Sequence, residues 1–493
     1  MVVSLLSCLW FVFHGTIYFH TDIARDFLLI EDIVVNNQIT LIGPHSGGID
    51  GVFHGPAWLY LNVPAFILGK GNPIAIGWFW AFLVISSIAL VYFVTKKITD
   101  TKIAMISSAL YGLIISDSSA NLINPFGAVL LSPLFFYFFV QYIAKHKAKD
   151  LVLAFFTLGM IIQFQMAWGV PIFFLSLPII IHKIITQRKY LHIFSYGILA
   201  IPLSTFVLFD LRHQFLQIKS VLAYVTHTST QARGNVFVFL GGRLQEMFLS
   251  LLNTVSFGNI FLQLYFSLVF VFTIYYIKTK KARHSPLLNY LLYFYVGYWI
   301  LTLFYKGTMW GYYTTPFIPL FCIALGLLFK ILPKKIMLFV FFITIVPLLY
   351  INIRNIVFRN DTFFKTNTGF WNFYSRQAQT VFNDAGSEFG WYVYTADQYG
   401  YSSKYAMHYT QRMLKTKNGL SYVKKPTTYL IIFPSTNRFT NAYDWKTNKI
   451  YLTRAPDKVF KFQGGSYVEK YILTPEEQQV PSASDLIKDL TFR

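Results

Sequence analysis

A chain of 493 residues that is 55% apolar, 19% aromatic and only 13% charged is too greasy for a soluble protein of its size. Its formal charge of +21 therefore does not point to nucleic acid, because the meaning of a basic balance depends on where the bases lie. The two cysteines, Cys8 and Cys322, fall inside apolar stretches, which argues against a disulfide framework and makes them core packing residues.

A hydrocarbon core about 30 Å thick takes roughly 20 apolar residues per helix. Stretches of this kind predict a polytopic α-helical membrane protein with eleven spans, over 2–19, 74–95, 103–117, 125–143, 151–165, 168–182, 193–209, 261–277, 287–304, 311–329 and 335–351. The first stretch has no basic n-region and no small-residue cleavage site before His20, so it reads as a retained helix and not as a signal peptide. If that helix runs outward, five alternate short loops carry sixteen Lys and Arg, against seven on the other side. This is the asymmetry of cytoplasmic loops. It predicts that 20–73, 210–260 and everything after 351 are extracytoplasmic, on the plasma membrane if the cell is bacterial.

The first outer loop is the informative one. Residues 1–351 hold ten acids, and five of them, Asp22, Asp26, Glu31, Asp32 and Asp50, lie between the first two spans. Read as a helix capped by Thr21, the segment from His20 to Val34 puts Asp22, Arg25 and Asp26 on one face and the aliphatic side chains on another, as a helix lying along the membrane surface would. A polar face on such a helix explains its carboxylates without any chemistry. Gly43-Pro44-His45-Ser46-Gly47-Gly48 and Phe53-His54-Gly55-Pro56 then punctuate the loop, and Trp58-Leu59-Tyr60 reads as a second interfacial helix, too short to span. Further on, 236–252 reads as an amphipathic helix. Tryptophans at span ends, Trp58, Trp78, Trp80, Trp168, Trp299 and Trp310, read mostly as interfacial belts.

After Ile351 the Leu and Phe runs give way to Asn, Thr, Lys and Tyr. Strands are predicted at 391–395, 428–433 and 449–452 and a helix at 398–417, so the chain divides into a membrane catalytic domain, 1–351, and an extracytoplasmic α/β domain, 352–493.

Two elements carry a family resemblance. Asp22-Ile23-Ala24-Arg25-Asp26 resembles the Asp-Glu-Ala-Arg-Tyr element that opens the first outer loop of the glycosyltransferase C (GT-C) superfamily, and Gly55-Pro56-Ala57-Trp58-Leu59-Tyr60 resembles its Pro-Pro-Leu-x-Tyr-Trp element. The similarity is to the branch containing dolichyl-phosphate-mannose protein mannosyltransferases and bacterial lipid A aminoarabinose transferases. Phe209-Asp210-Leu211-Arg212-His213 and Trp310-Gly311-Tyr312-Tyr313-Thr314-Thr315-Pro316 fit it less specifically. Ile23 stands where many members have a second acid, and Gly55 replaces the first Pro, so a single Asp or the Asp22/Asp26 pair stays open as the catalytic group. The resemblance implies a polyprenyl-phosphate-linked sugar as donor, transfer with inversion, and a glycan, lipid or protein acceptor in the cell envelope.

Such a transfer needs a base for the acceptor hydroxyl and cations for the departing phosphate. Asp22 is the expected base, with Asp26 either catalytic or binding the acceptor and holding Arg25. Arg212, Lys306 and Arg243 are the candidate phosphate ligands, although Lys306 also fits a snorkelling lysine and Arg212 an ion pair with Asp210. Arg25, His54, Tyr60, His213, Tyr312 and Tyr313 are candidate substrate contacts. No cofactor is fixed; a divalent metal is left open at His54 and His213, which lack ligand spacing. The chain has no Gly-rich phosphate loop and no Asp-x-Asp pair, and only Asp100 and Asp150 are acids in the inner loops, which argues against a cytoplasmic nucleotide sugar. The rival class is a transporter or flippase, which would place ionisable residues near mid-membrane, where this chain has almost none. A catalytically dead relative acting as a scaffold would tolerate Asp22→Asn.

Overall fold

Helix ends in the apolar part of the chain are set by local chemistry. The computed structural model describes residues 2–46, 48–226, 236–279, 286–305, 307–331, 334–365, 368–434 and 441–490. Its helices are α1 (Val2–Phe13), α2 (Thr21–Val34), α3 (Ala57–Leu68), α4 (Pro73–Ile98), α5 (Thr101–Ile115), α6 (Pro125–Lys145), α7 (Ala148–Phe164), α8 (Met166–Thr186), α9 (Ala200–Arg212) and α10 (Leu216–Thr226). There follow α11 (Val236–Val255), α12 (Ile260–Thr279), α13 (Pro286–Thr302), α14 (Phe317–Ile331), α15 (Lys334–Lys365), α16 (Trp371–Asp384), α17 (Tyr401–Leu414), α18 (Ala442–Trp445) and α19 (Pro475–Gln479). Asp100 caps α5 by accepting from the Ile103 amide at 3.0 Å. Pro125 sits in the first turn of α6, where its missing N–H costs nothing, and His146 ends that helix in a left-handed conformation.

Among the described residues six helices are long and apolar enough to cross a bilayer, within 73–98, 101–120, 125–145, 166–186, 190–212 and 338–358. The helix pair Phe237–Val255 and Ile260–Phe272, bent by 118°, makes a seventh if it counts as one span. The protein is thus an integral membrane protein. The other expected spans form α12 of the bent pair and the helices α1, α7, α13 and α14, of 12, 17, 17 and 15 residues. The helix predicted at 236–252 is present as α11.

Two compact units divide the chain: 1–9, 39–61 and 80–355 in one, 10–38, 62–79 and 356–493 in the other. In the helical unit α6 and α7 form a hairpin, α5 packs along α14, and α7 also meets α8 and α9. One buried polar side chain there ties two helices together. Asn352 donates to Leu113 O at 2.7 Å and takes the Ser116 hydroxyl at 3.3 Å, tying α15 to the end of α5. Cys8 and Cys322 are buried free thiols, as expected. Trp58, Trp80, Trp168 and Trp299 are buried too, which corrects the belt reading. They fill the spaces between helices, and of the six only Trp78 and Trp310 are exposed.

The second unit is built on a five-stranded sheet of order β2-β1-β3-β5-β4, with β1 (Glu388–Tyr394), β2 (Asn418–Ser421), β3 (Thr427–Ile432), β4 (Lys458–Lys461) and β5 (Tyr467–Ile472). The first three strands run parallel, with Trp391 opposite Tyr429; β5 is antiparallel to β3, and β4, antiparallel to β5, returns to the direction of the first three. The chain between β2 and β3 crosses over β1 at Gly390, where a Cβ would meet Val423 O at 2.0 Å; only glycine fits. Both faces of β1 are covered, which is why it reads as a continuous apolar run. Phe389 and Trp391 lie toward α16 and α17, against Phe382 and His408. Tyr392, Tyr394, Leu430, Ile432 and Tyr471 lie on the opposite face with Ile450 and Leu452. The strand predicted at 449–452 is absent: Lys446–Ile450 is a π-helical turn, and the alternation that suggested a strand is Ile450 and Leu452 packing on the sheet.

The amino-terminal segment of this second unit was not expected there. The first predicted span stops as a helix at Phe13. Beyond it, Tyr18 bridges to Phe370, the Phe19 amide donates to Gly369 O at 2.9 Å and the Trp371 amide to Ile17 O at 3.0 Å. The apolar residues Ile17 and Phe19 are therefore core residues against the start of α16.

Candidate active site

The helix predicted in the first outer loop is α2, and its apolar side is buried through Ile23, Ala24, Phe27, Leu28, Leu29 and Ile30. What covers it includes α17: Phe27 meets Tyr405 edge-on at 5.1 Å, and Phe19 at the start of α2 meets Trp371 at 5.0 Å. Protein, and not lipid alone, thus takes up the amphipathic face. Thr21 does not cap the helix. Its hydroxyl donates to Asp397 Oδ2 at 2.5 Å, while His20 stands at the N-cap without a side-chain bond to the helix.

Asp22, Arg25 and Asp26 come together on the other side of α2. Arg25 donates Nε and Nη2 to Asp26 Oδ1 at 3.0 and 2.8 Å, and Nη1 to Asp22 Oδ1 at 2.7 Å. The two carboxylates differ sharply in access: the Asp22 side chain is 53% exposed and that of Asp26 4%. Asp26 Oδ2 is buried with no hydrogen-bond partner among the described residues. Burial pushes the Asp26 carboxyl above its ordinary value, against the opposing pull of Arg25. Burial works against the Arg25 charge, yet Asp26 and Asp22 outweigh it and hold the guanidinium above its usual pKa. Asp22 therefore has the access an acceptor hydroxyl requires, and Asp26 the grip that fixes Arg25.

Sequence reasoning missed what holds α2 from behind. Glu31 is buried, forms an ion pair with Arg412 of α17, and lies 3.1 Å from His408 Nδ1. Ser402 Oγ donates to Phe19 O at 2.8 Å, and Tyr405 OH donates to Gly71 O at 2.5 Å. The only sequence signal for this contact is the spacing of Tyr405, His408 and Arg412 on one face of α17.

The remaining candidates belong to the helical unit. The Gly/Pro loop of 43–55 and the Phe209–His213 segment meet there, since the Phe53 amide donates to Gln217 Oε1 at 3.1 Å and the Phe53 and Phe209 rings are 5.6 Å apart. His54 is buried within this loop, its amide donating to Pro44 O at 2.9 Å. Tyr60 donates to Thr40 O at 2.8 Å and accepts the Thr40 amide at 3.1 Å, so its hydroxyl fixes the loop's entry. Gly55, the departure from the family pattern, donates its amide to Gln163 O at 3.0 Å, and a Cβ on it would meet Gln163 Oε1 at 1.9 Å. A proline there would lose the bond and clash.

No ion pair joins Arg212 to Asp210, which corrects that expectation. Asp210 Oδ1 accepts the Gln217 amide at 2.8 Å, and Arg212 is exposed. His213 stacks on Phe209 with ring centroids 4.1 Å apart, its Nδ1 2.8 Å from Phe209 O. Arg243 is buried and committed: it pairs with Glu246 at 2.7 Å and donates to Tyr305 O at 2.8 Å and Gly307 O at 2.7 Å. It orders the chain on either side of residue 306, while Lys306 itself lies outside the described residues. Tyr312 stacks on Trp310, and Tyr313 is buried. Among the described residues no group of three or more His, Cys, Asp or Glu is placed to hold a metal ion.

A helical membrane portion and a small α/β sheet unit, with segments of the two interleaved along the chain, make a fold of the kind the loop resemblance implied, and it is found in solved structures. The chain is similar to the crystal structure of ArnT from Cupriavidus metallidurans bound to undecaprenyl phosphate, with a TM-score of 0.61 and 10% identity over 95% of this chain and 96% of that one. The apo state of the same protein gives a TM-score of 0.59 at the same identity and coverage. A weaker likeness, TM-score 0.48 and 12% identity over 87% of this chain and 67% of that one, runs to the Archaeoglobus fulgidus oligosaccharyltransferase in complex with Zn and sulfate. No family model and no curated protein matches the sequence.

Proposed function

We propose that the protein is an integral membrane glycosyltransferase, a hexosyl- or pentosyltransferase that moves a monosaccharide from a polyprenyl phosphate to an acceptor hydroxyl with inversion. The observation that carries this is the Asp22–Arg25–Asp26 cluster on α2, in a fold similar to that of an ArnT bound to undecaprenyl phosphate. Fold alone does not give function; the cluster supplies the chemistry. The acceptor oxygen attacks the anomeric carbon, its proton passes to Asp22, and the bond from that carbon to the phosphate oxygen breaks with its electron pair leaving on the polyprenyl phosphate. Asp26 holds Arg25, and Arg25 orients Asp22. Arg212, the exposed cation among the candidates, and Lys306 serve the departing phosphate; Arg243 supports the Lys306 segment. His54, Tyr60, His213, Tyr312 and Tyr313 act as substrate-side groups. No role for a metal is proposed. Eleven membrane crossings, with the domain after residue 351 extracytoplasmic, complete the reading and put the chemistry where the lipid-linked donor is presented.

One observation favours a second assignment within the same reaction: the unpartnered Oδ2 of Asp26 is an acceptor without a donor, as a base awaiting a hydroxyl would be. The test is release of polyprenyl phosphate from a panel of polyprenyl-phosphate sugars, with cell-envelope extract as acceptor, by wild type, Asp22→Asn and Asp26→Asn in detergent. Release lost in a folded Asp22→Asn and only reduced in Asp26→Asn supports Asp22; the reverse pattern transfers the role to Asp26. No release by wild type with any donor rejects the transferase and favours the transporter reading.

A further inference from the structure

In the sheet order β2-β1-β3 the parallel strands β1 and β3 lie side by side, and open α/β sheets take ligands in the crevice outside the carboxyl ends of such strands. At that end lies a cleft of about 340 Å³. Tyr394, the last residue of β1, lines it and is 4% exposed, yet its hydroxyl has no hydrogen-bond partner among the described residues. Buried hydroxyls are normally paired, so this one is set for a partner that enters the cleft. The Trp445 ring packs on it, centroids 5.3 Å apart. Trp445 leads into the π-helical turn at Lys446–Ile450, a rare geometry that recurs at functional sites.

The rest of the wall is polar but not free in charge. Lys449 is paired with Asp485, and Asn441 Nδ2 donates to Asp444 Oδ2 at 2.5 Å. Gln398, held at a φ of 62°, adds an amide. A phosphate would want unpaired cations, and an apolar ligand would leave the Tyr394 hydroxyl unmet. A ring with apolar C–H faces and a rim of uncharged hydroxyls meets both needs: the faces on aromatic rings, the hydroxyls on amides and Tyr394.

We propose that this cleft binds neutral hexopyranose residues and that the acceptor is therefore a glycan, held by the C-terminal domain. One loop connects the cleft to the chemistry. Thr395 and Gln398 line the cleft, while Asp397 between them accepts the hydroxyls of Thr395 and of Thr21, the neighbour of Asp22. The acceptor assignment rests on the transferase reading; sugar binding in the cleft does not.

The test uses the full chain in detergent without donor, with binding read by titration calorimetry and tryptophan fluorescence against neutral hexose tetrasaccharides of differing linkage. Tetrasaccharides of uronic acids serve as the charged control. The expected result is binding of at least one neutral tetrasaccharide, weakened at least tenfold in Trp445→Ala, weakened severalfold in Tyr394→Phe, which keeps the ring, and partly restored in Trp445→Phe. Absence of binding by any neutral tetrasaccharide, or affinities unchanged in Trp445→Ala and Tyr394→Phe, overturns the site. Binding that follows this pattern in a protein that releases no polyprenyl phosphate keeps the cleft and overturns only the acceptor assignment.

Discussion

Glu31 on α2 and Arg412 on α17 form an ion pair on the far side of the helix that carries Asp22, half a turn round from it. Glu31 is nearly buried and His408 shares its carboxylate, so the pair has little water to replace a lost partner. The helix that bears Asp22 is thus held by a residue distant in the chain but in the same compact unit.

Arg412→Met is expected to loosen α2, because it leaves Glu31 buried with only His408. Partial exposure of Arg412 discounts the usual cost of breaking a buried pair, to on the order of 2 kcal/mol. Hydrogen exchange in 21–34 should rise at least tenfold, and the double variant Glu31→Gln, Arg412→Met should recover part of the loss. Unchanged exchange in the single variant would sink the idea that this pair anchors the helix.

How far this was legible in the sequence depends on the range of the contacts. The amphipathic period of α2, the cluster of acids on it and the change of character after Ile351 are local and could be read directly. What covers the apolar face of α2 could not, because Tyr405, His408 and Arg412 are distant in the chain and nothing local links them to Leu28 or Glu31. The same limit explains the first span. Ile17 and Phe19 extend an apolar run, but they are apolar for Phe370 and Trp371, not for lipid. Strand β4 (Lys458–Lys461) escaped notice because it is short and carries lysines, as edge strands do, and β5 (Tyr467–Ile472) because Glu469 and Lys470 interrupt its apolar pattern.

Asp22→Asn should lower turnover by about 10²–10⁴-fold if its carboxylate is the base. Asp26→Asn should cost less, roughly tenfold, because its Oδ1 can still accept from Arg25 but without the charge that strengthens the two contacts. Steady-state rates on the variants, at matched thermal stability, decide the order; equal loss in both would mean that the two carboxylates act as one unit.

Gly55→Ala tests the loop that bears His54. The added methyl meets the Gln163 side chain, whose Nε2 is held by Pro202 O at 2.5 Å and Thr205 Oγ1 at 2.8 Å and so cannot swing away without losing both. A destabilisation of about 1–3 kcal/mol is expected from overpacking, read as a lower unfolding temperature in detergent. Gln163→Ser should relieve the side-chain part of the clash in the double variant, the Gln163 Cα at 2.9 Å remaining; absence of any relief would locate the strain in that backbone contact.

Acid sensitivity of the C-terminal domain should trace to Asp384. It ends α16 and takes Lys458 at 2.7 Å, Lys470 at 2.7 Å and the Tyr429 hydroxyl at 2.8 Å, so one carboxylate ties the helix to β4, β5 and β3. Burial opposes its charge, but these three donors outweigh it and hold the carboxyl down at about 2. In the unfolded chain the same group titrates near 3.9. Because the folded value is the lower one, the stabilisation is fully present above about pH 4 and is lost as the pH falls from there toward 2. The shift corresponds to roughly 2 kcal/mol. Asp384→Asn should therefore lower stability at neutral pH by on the order of that amount and flatten the decline between pH 4 and 2, measured by thermal unfolding of the full chain at each pH. A decline as steep in the variant as in the wild type would assign the acid response to other carboxylates.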